Sequence, residues 1–212
     1  MRHIMLMNAK GGCGKSTLAT CLAAYYATAG RSVVLADYDP QRSSLDWLDR
    51  RPGDRPKIVG LDAYDEGLKH VPRSADVVVM DAPARTHGSE LTNLINHADT
   101  ILLPVMPSMI DMQATNRFLN EVKATNKVAT RRAKLGVIAN RVRENTRIAD
   151  ELDEYMQKLR IPYVSWLREA QNYVRAYSRG LGIHELPEYL AWPDWSQWAQ
   201  LTSWLHSKRS RP

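Results

Sequence analysis

Cysteine is scarce in this chain of 212 residues, which has only Cys13 and Cys21. Two thiols are too few for a disulfide framework or a thiolate-held metal cluster, and they are typical of a protein in a reducing compartment. Long apolar runs are lacking as well, and without a stretch of about 18 such residues we expect no membrane span. The segment before the first glycines is too short for a signal peptide. These absences favour a cytosolic protein.

Internal repeats, low-complexity segments and linker-like stretches are also absent. The composition, with 44% hydrophobic and 25% charged residues, is that of an ordinary globular protein and excludes the disordered, collagenous and coiled-coil classes. We therefore expect a single domain over residues 1–212.

The net charge of +6 is concentrated in the second half of the chain. Residues 1–100 carry 12 basic and 12 acidic side chains, whereas residues 101–212 carry 17 basic and 11 acidic ones. Nine of the basic residues lie within 117–147, where only Glu121 and Glu144 oppose them. This asymmetry is compatible with a polyanionic partner or with a solvated helix face.

Short apolar segments alternate with longer segments of helical periodicity along most of the chain. The patterns predict strands over residues 4–8, 32–36, 57–61, 76–80, 100–104 and 134–140, and helices over 16–29, 43–51, 90–97, 111–125 and 147–159. Strands separated by such helices form parallel sheets through right-handed crossovers. We expect an α/β fold, doubly wound, with a mostly parallel sheet and helices on both faces.

The pattern is weaker beyond residue 160. It predicts an edge strand over 163–166, a helix over 168–179, and a terminal helix over 194–207 that Asp194 caps just after Pro193. One face of the terminal helix is apolar and carries Trp195, Trp198, Leu201, Thr202 and Leu205. We expect this face to dock on the domain; contact with a membrane or with a partner protein is the alternative.

A glycine-rich loop follows the first predicted strand and leads into the first predicted helix. It reads Asn8-Ala9-Lys10-Gly11-Gly12-Cys13-Gly14-Lys15-Ser16-Thr17. Glycines let backbone N–H groups converge on phosphate oxygens, and the helix N-terminus adds positive potential. Lys15 would then reach the β- and γ-phosphates of a nucleotide, and the Ser16 hydroxyl would bind Mg²⁺. The pattern G-x-x-x-x-G-K-[ST] has glycine where this chain has Ala9, and Lys10 adds a second lysine to the loop.

Residues 10–17 resemble the deviant Walker A loop of the ParA/MinD ATPases, whose signature is the early lysine. The resemblance implies a P-loop NTPase that binds ATP and Mg²⁺ through Gly11, Gly12, Cys13, Gly14, Lys15, Ser16 and Thr17. It also implies that Lys10 reaches the nucleotide of the opposite subunit in an ATP-dependent homodimer. The similarity continues in order and spacing from residue 3 to about residue 145.

Two acidic elements follow the loop at the expected places. Residues 35–41 are similar to the D-x-D-P-Q element of the family, which implies that Asp39 positions the attacking water while Asp37 supports the loop. Residues 77–83 form an apolar Walker B type strand ending in Asp81, whose carboxylate would hold Mg²⁺ through water. By resemblance, the catalytic residues are Lys10, Lys15 and Asp39, and the metal ligands are Ser16 and Asp81.

Two later segments extend the resemblance. Residues 103–108, with Asp111 after them, are similar to a segment near the dimer interface of the family. Asn140 corresponds to an asparagine that contacts adenine, and its amide can both donate and accept hydrogen bonds. An asparagine that only caps the end of a strand is the alternative.

Several branches of the family are not expected, because each of them requires a sequence feature that this chain lacks. The nitrogenase iron proteins and the arsenite and tail-anchor ATPases need further cysteines, and the bacterial tyrosine kinases need a C-terminal tyrosine cluster. Larger plasmid ParA proteins need a helix-turn-helix domain before the phosphate loop. Short partition ATPases, McdA-type carboxysome-positioning proteins, MinD-like membrane ATPases and small amide-forming synthetases remain.

The basic second half favours a short ParA-type protein among these. The resemblance then implies a cytoplasmic, nucleoid-associated ATPase of low intrinsic turnover, whose ATP-bound dimer binds DNA without sequence preference. A cargo adaptor of the ParB or McdB type would stimulate hydrolysis, and the cargo would be a plasmid, a chromosome region or a protein organelle such as the carboxysome.

Binding without sequence preference requires contacts to phosphates only, which scattered basic residues can supply. The candidates are Arg131, Arg132, Lys134, Arg160, Arg168, Arg175 and Arg179. The last three are spaced to share one face of the predicted helix over 168–179.

Two other functions are compatible with the sequence. One is a MinD-like membrane-associated ATPase that uses the amphipathic C-terminal helix. Glutamines rather than lysines line the body of that helix, so we expect the membrane not to be a partner. The other is a synthetase that transfers phosphate to a small carboxylate, for which the sequence shows no acceptor pocket.

Overall fold

A computed structural model describes all 212 residues of the chain. Seven strands form one sheet in the order β3-β2-β4-β1-β5-β6-β7, and every neighbouring pair is parallel. The strands are β1 (Arg2–Leu6), β2 (Val33–Asp37), β3 (Ile58–Asp62), β4 (Val77–Asp81), β5 (Thr100–Val105), β6 (Lys134–Val142) and β7 (Tyr163–Arg168).

Helices connect successive strands and continue past the last one. They are α1 (Lys15–Thr28), α2 (Ser43–Asp49), α3 (Ala63–Glu66), α4 (Gly88–His97), α5 (Met109–Ala124), α6 (Asn126–Ala129), α7 (Arg147–Lys158), α8 (Gln171–Ser178) and α9 (Glu188–His206). Short 3-10 helices span Ile183–Glu185 and Lys208–Ser210. None of these helices combines the length and the apolar composition that crossing a membrane requires.

The inner strands β2, β4 and β5 are buried on both faces because each face is covered by helices, whereas the edge strand β3 is largely exposed. Ile4 and Leu6 of β1 point into a core shared with α1, α8 and α9, whereas Met5 and Met7 point into a core shared with α4, α5 and α7. Alternate residues of a strand face opposite sides of a sheet, so β1 contributes to both cores. This arrangement confirms the predicted doubly wound α/β fold.

Strand β1 lies between β4 and β5, where the connections of the sheet change direction. The chain runs from β1 to β2 on one side and from β4 across β1 to β5 on the other. In open α/β sheets such a switch point opens a crevice at the carboxyl ends of the strands. The loops after β1, β2, β4 and β6 all meet at this edge.

The terminal helix begins earlier than predicted. The range 194–207 is wrong at its start because α9 begins at Glu188, which places Pro193 inside the helix rather than before it. Asp194 is therefore not a helix cap. It is fully buried, and the hydrogen bonds of Arg168 and Asn172 to its carboxylate help to hold a helix whose proline cannot donate a backbone bond.

The apolar face of α9 packs inside the protein. Trp198, Leu201 and Leu205 are almost completely buried and belong to the core shared with α1 and β7. The Trp198 indole donates to the Tyr173 hydroxyl of α8 at 2.9 Å, and the Trp195 indole donates to the Ile183 carbonyl at 2.8 Å. Trp192 and Tyr189, on the first turns of α9, remain exposed.

Candidate functional site

The glycine loop joins β1 to α1 in the conformation that an anion-binding loop needs. Gly12 and Gly14 have φ values of +76° and +93°, in the left-handed region that other residues rarely adopt. Gly14 is the N-cap of α1, and the first turn of this helix contains no acidic residue. The N-terminal N–H groups of α1 and the loop therefore present uncompensated positive potential at the crevice.

The two lysines of the loop have different surroundings. Lys15 is buried, and its Nζ donates to the Lys10 carbonyl at 3.2 Å, so its ammonium group lies over the loop. The ammonium group of Lys10 makes no hydrogen bond or ion pair within the chain, although its backbone N–H donates to Asn8 Oδ1. Lys10 is half-buried at the rim of the loop.

Asn140 holds the loop from the end of β6. Its side-chain Nδ2 donates to the Cys13 carbonyl at 2.8 Å, and a Cβ on Gly14 would lie only 2.4 Å from that nitrogen. A side chain at position 14 would therefore displace the Asn140 amide as well as strain the backbone. The contact of Asn140 with adenine stays a prediction. In the structure, one N–H of its side-chain amide donates a hydrogen bond to the loop.

Asp37 organises the loop between β2 and α2. Its Oδ1 accepts from the Asp39 N–H at 3.0 Å, while Oδ2 accepts from the Ser44 and Leu45 N–H groups at 2.9 and 3.2 Å. Burial raises the pKa of Asp37, and these three backbone donors act against that shift. Asp39 itself lines the cleft, and its Oδ1 accepts from the Gln41 N–H at 2.9 Å.

Asp81 lies at the end of β4 beside the phosphate loop and is completely buried. Its Oδ2 accepts a hydrogen bond from the Ser44 hydroxyl at 2.6 Å, whereas Oδ1 has no hydrogen-bond partner. Burial raises the pKa of Asp81 to about 7, and the neighbouring Ser16 and Ser44 hydroxyls lower it.

The unpartnered Oδ1 of Asp81, together with the neighbouring Ser16 hydroxyl, fits the predicted magnesium site. Mg²⁺ takes one or two protein oxygen ligands together with phosphates and water, so a carboxylate and a hydroxyl are a sufficient donor set. No cluster of three or more His, Cys, Asp or Glu side chains offers a cage for a metal ion elsewhere in the chain.

The loop opens into a cleft of about 1410 Å³. Its far wall comes from the ends of β6 and β7 and from α8, and the sequence had indicated only Asn140 of this wall as part of the nucleotide site. The Arg141 guanidinium donates to Glu169 at 2.8 Å and to the Gly12 carbonyl at 3.4 Å, and Arg143 pairs with the same carboxylate. These two arginines lower the pKa of Glu169. The Tyr177 hydroxyl donates to the Ser43 carbonyl at 2.6 Å and so connects α8 to α2.

The structure separates the seven candidate DNA-binding residues into two groups. One group lies near the amino end of the sheet and the other lies on β7 and on or just after α8, near the carboxyl end; the second group is Arg168, Arg175 and Arg179. Lys134 begins β6 and Arg160 lies shortly before the start of β7, so both belong to the amino end of the sheet. Arg131 and Arg132, just before β6, are exposed at the same edge, and neither of them nor Arg160 forms an ion pair.

The shared helical face predicted for Arg168, Arg175 and Arg179 is wrong. β7 continues to Arg168 and α8 begins only at Gln171, so Arg168 is a strand residue, and Arg179 follows the end of α8. Arg168 Nε also donates to the buried carboxylate of Asp194 at 2.7 Å, which raises the pKa of this guanidinium. It lies at the carboxyl edge of the sheet, in the wall of the cleft.

The chain is similar to one protein family and, within it, to individual proteins. The model of the CobQ/CobB/MinD/ParA nucleotide binding domain matches residues 4–183. The "Maintenance of carboxysome distribution protein A" of Halothiobacillus neapolitanus is 26% identical, covering 86% of this chain and 87% of that protein. The chromosome-partitioning ATPase Soj of Thermus thermophilus is 27% identical, covering 74% of this chain and 76% of that protein.

A solved structure shows the same fold. The complex of a McdA variant from Cyanothece with ATP superimposes with a TM-score of 0.77 at 17% identity, covering 95% of this chain and 96% of that chain.

Proposed function

The chain belongs to the CobQ/CobB/MinD/ParA family of nucleotide-binding domains, and from this premise we propose that it is an ATPase that positions or segregates a cargo by ATP-dependent dimerisation on DNA. The observation that carries the proposal is the pair of loop lysines. Lys15 is packed over its own loop, while the ammonium group of Lys10 is available to a second molecule.

The residues around the loop divide the chemistry of ATP hydrolysis between them. The loop N–H groups and Lys15 bind the β- and γ-phosphates, and Asp39 orients a water molecule in line with the bond that breaks. Ser16 and Asp81 would hold Mg²⁺, which offsets the charge that develops on the phosphate oxygens. Asn140 would contact the base with the hydrogen-bonding capacity that the Cys13 carbonyl leaves free.

Dimerisation would follow from ATP binding. In the proposed dimer, Lys10 adds a positive charge to the phosphates of the partner subunit's nucleotide, so the interface is stable only while the triphosphate is present. Hydrolysis would then release the dimer. Because hydrolysis sets the lifetime of the dimer, low intrinsic turnover is expected. An adaptor of the ParB or McdB type on the cargo would accelerate hydrolysis.

The amino edge of the sheet is the better of the two candidate DNA surfaces. Arg131, Arg132, Lys134 and Arg160 all lie close in sequence to the amino ends of β6 and β7, away from the cleft, and none of them forms an ion pair. Arg168 is paired with the buried carboxylate of Asp194 and is therefore unsuited to bind DNA phosphates. Phosphate contacts by the first group would place the protein on the nucleoid in the cytoplasm.

The relatives indicate the general kind of cargo. One relative is described by carboxysome distribution and another by chromosome partitioning, and positioning of a large cargo is common to both. We propose a cargo of this kind for this chain.

Retention on DNA tests the proposal. The Asp39→Ala variant, which binds ATP but turns over slowly, should be retained on duplex DNA of arbitrary sequence with ATP and Mg²⁺, and released as salt rises. Arg131→Ala combined with Arg160→Ala should weaken retention at every sequence and reduce its salt dependence. No retention at low salt would contradict the DNA-binding part of the proposal.

The membrane alternative depends on the apolar face of α9, and this face is buried in the structure. Trp198, Leu201 and Leu205 are buried against the sheet, so lipid could reach that face of α9 only if the helix left the core.

A further inference from the structure

Ser44 has no role in the proposed function so far, yet it occupies a central place beside the cleft. It is the second residue of α2 and is completely buried. Its hydroxyl donates to Asp81 Oδ2 at 2.6 Å, the only hydrogen bond made by that carboxylate's side chain.

The position of Ser44 is fixed independently of Asp81. Its backbone N–H donates to Asp37 Oδ2 at 2.9 Å, and the next N–H, that of Leu45, donates to the same oxygen. On the other side of the helix start, the Ser43 carbonyl accepts from the Tyr177 hydroxyl at 2.6 Å. The Ser44 hydroxyl is therefore held in place by contacts to β2 and α8, and it can set the orientation of a carboxylate on β4.

The orientation matters because the two oxygens of Asp81 have different surroundings. Oδ2 accepts the Ser44 hydrogen bond, whereas Oδ1 has no hydrogen-bond partner and is free to bind a metal ion. A rotation of the carboxylate would bring both oxygens out of these positions. Groups that orient a metal-binding carboxylate change metal affinity even though they never touch the metal.

We propose that Ser44 is a positioning residue that holds Asp81 through Oδ2, leaves Oδ1 free for the metal ion, and thereby sets the affinity of the cleft for Mg²⁺ bound with a nucleotide. This inference rests on the proposed function. Because Asp37 binds both the Ser44 N–H and the Asp39 N–H, Ser44 also connects the metal-binding carboxylate to the loop that carries the water-orienting residue.

The test measures the Mg²⁺ concentration that gives a half-maximal rise in affinity for a fluorescent ATP analogue. In Ser44→Ala, this concentration should rise by about 10- to 100-fold, while binding of the analogue without Mg²⁺ should stay at the level of the unmodified protein. Ser165→Ala is the matched control, since Ser165 is also a buried serine, and its hydroxyl donates to the Gln197 carbonyl at 2.8 Å on β7, outside the cleft. It should lose stability without a shift in the Mg²⁺ requirement.

Two further variants keep the inference testable if Ser44→Ala folds poorly. Ser44→Cys replaces the hydroxyl with a larger and weaker donor, and its Mg²⁺ requirement should lie between those of the other two proteins. In an Asp81→Asn background, Ser44→Ala should cause no further change, because the group it positions is gone.

The outcomes separate the inference from the proposed function. An unmodified protein that binds the analogue with a Mg²⁺ requirement that Ser44→Ala and Ser44→Cys leave unchanged would overturn the role of Ser44 alone. An equal shift in Ser165→Ala would also overturn it. If the unmodified protein did not bind the analogue at all, the proposed function would fail and the role of Ser44 with it.

Discussion

Replacing Gly14 with alanine should damage the nucleotide site through two separate contacts. The φ of +93° lies in a region that costs an L-residue about 1–2 kcal/mol. The new Cβ would also lie 2.4 Å from Asn140 Nδ2, so the amide must leave its hydrogen bond to the Cys13 carbonyl, at a net cost of about 1 kcal/mol. Together these effects predict a loss of about 2–3 kcal/mol in the free energy of unfolding and a strong loss of ATP affinity.

Urea unfolding followed by tryptophan fluorescence, with ATP binding measured in parallel, gives both quantities. Gly53→Ala is the control, because a Cβ there meets nothing within 4 Å and its φ is not positive; its change should be under about 0.5 kcal/mol. In an Asn140→Ala background the steric part disappears, so Gly14→Ala should cost about 1 kcal/mol less than in the unmodified protein. Equal costs in both backgrounds would refute the role of Asn140, and ATP binding unaffected by Gly14→Ala would refute the whole argument.

Three further predictions concern other buried polar groups. Asp194→Ala should lower the free energy of unfolding by about 3 kcal/mol in a urea titration, because it leaves the hydrogen-bonded Arg168 without its buried partner; a loss under about 1 kcal/mol would contradict this. Burial lowers the pKa of His184 to about 4, so the unfolded chain takes up the proton first and stability should fall as pH drops from about 6.5 toward 4. His184→Gln should reduce this slope by up to about 1.4 kcal/mol per pH unit, and an unchanged slope in denaturation midpoints would exclude His184 as its source. Asp37→Ala should leave ATP binding measurable but slow hydrolysis, since the Asp39 N–H loses its acceptor; single-turnover hydrolysis at the rate of the unmodified protein would refute this.

The fold could be predicted from the sequence because its signals are local. Buried parallel strands such as β4 and β5 are short apolar runs, and glycine and helical periodicity mark the loops and helices between them. The phosphate loop is a contiguous motif whose function depends on its own backbone. For the same reason, its position after β1 and before α1 could be predicted without knowledge of the rest of the chain.

The interactions missed by the sequence analysis are those between residues far apart in the chain. Nothing near Ser44 indicates that its hydroxyl meets Asp81, 37 residues later. Likewise, Pro193 followed by Asp194 has the pattern of a helix start, and only the buried contact with Arg168 shows that the Asp194 carboxylate is not a cap of the helix, which begins at Glu188. The same contact explains why Arg168 is unsuited to bind DNA, which helical spacing alone could not show.

We propose that ATP joins two copies of this chain through Lys10, and light scattering coupled to size exclusion tests this claim most directly. With ATP and Mg²⁺, Asp39→Ala should have twice the mass of the chain. Adding Lys10→Ala to that variant should return it to the mass of one chain while ATP binding persists, because the ammonium group of Lys10 has no partner within its own subunit. Lys15→Ala should bind no ATP and stay monomeric. A Lys10→Ala protein that dimerises with ATP as fully as its parent would contradict the claim.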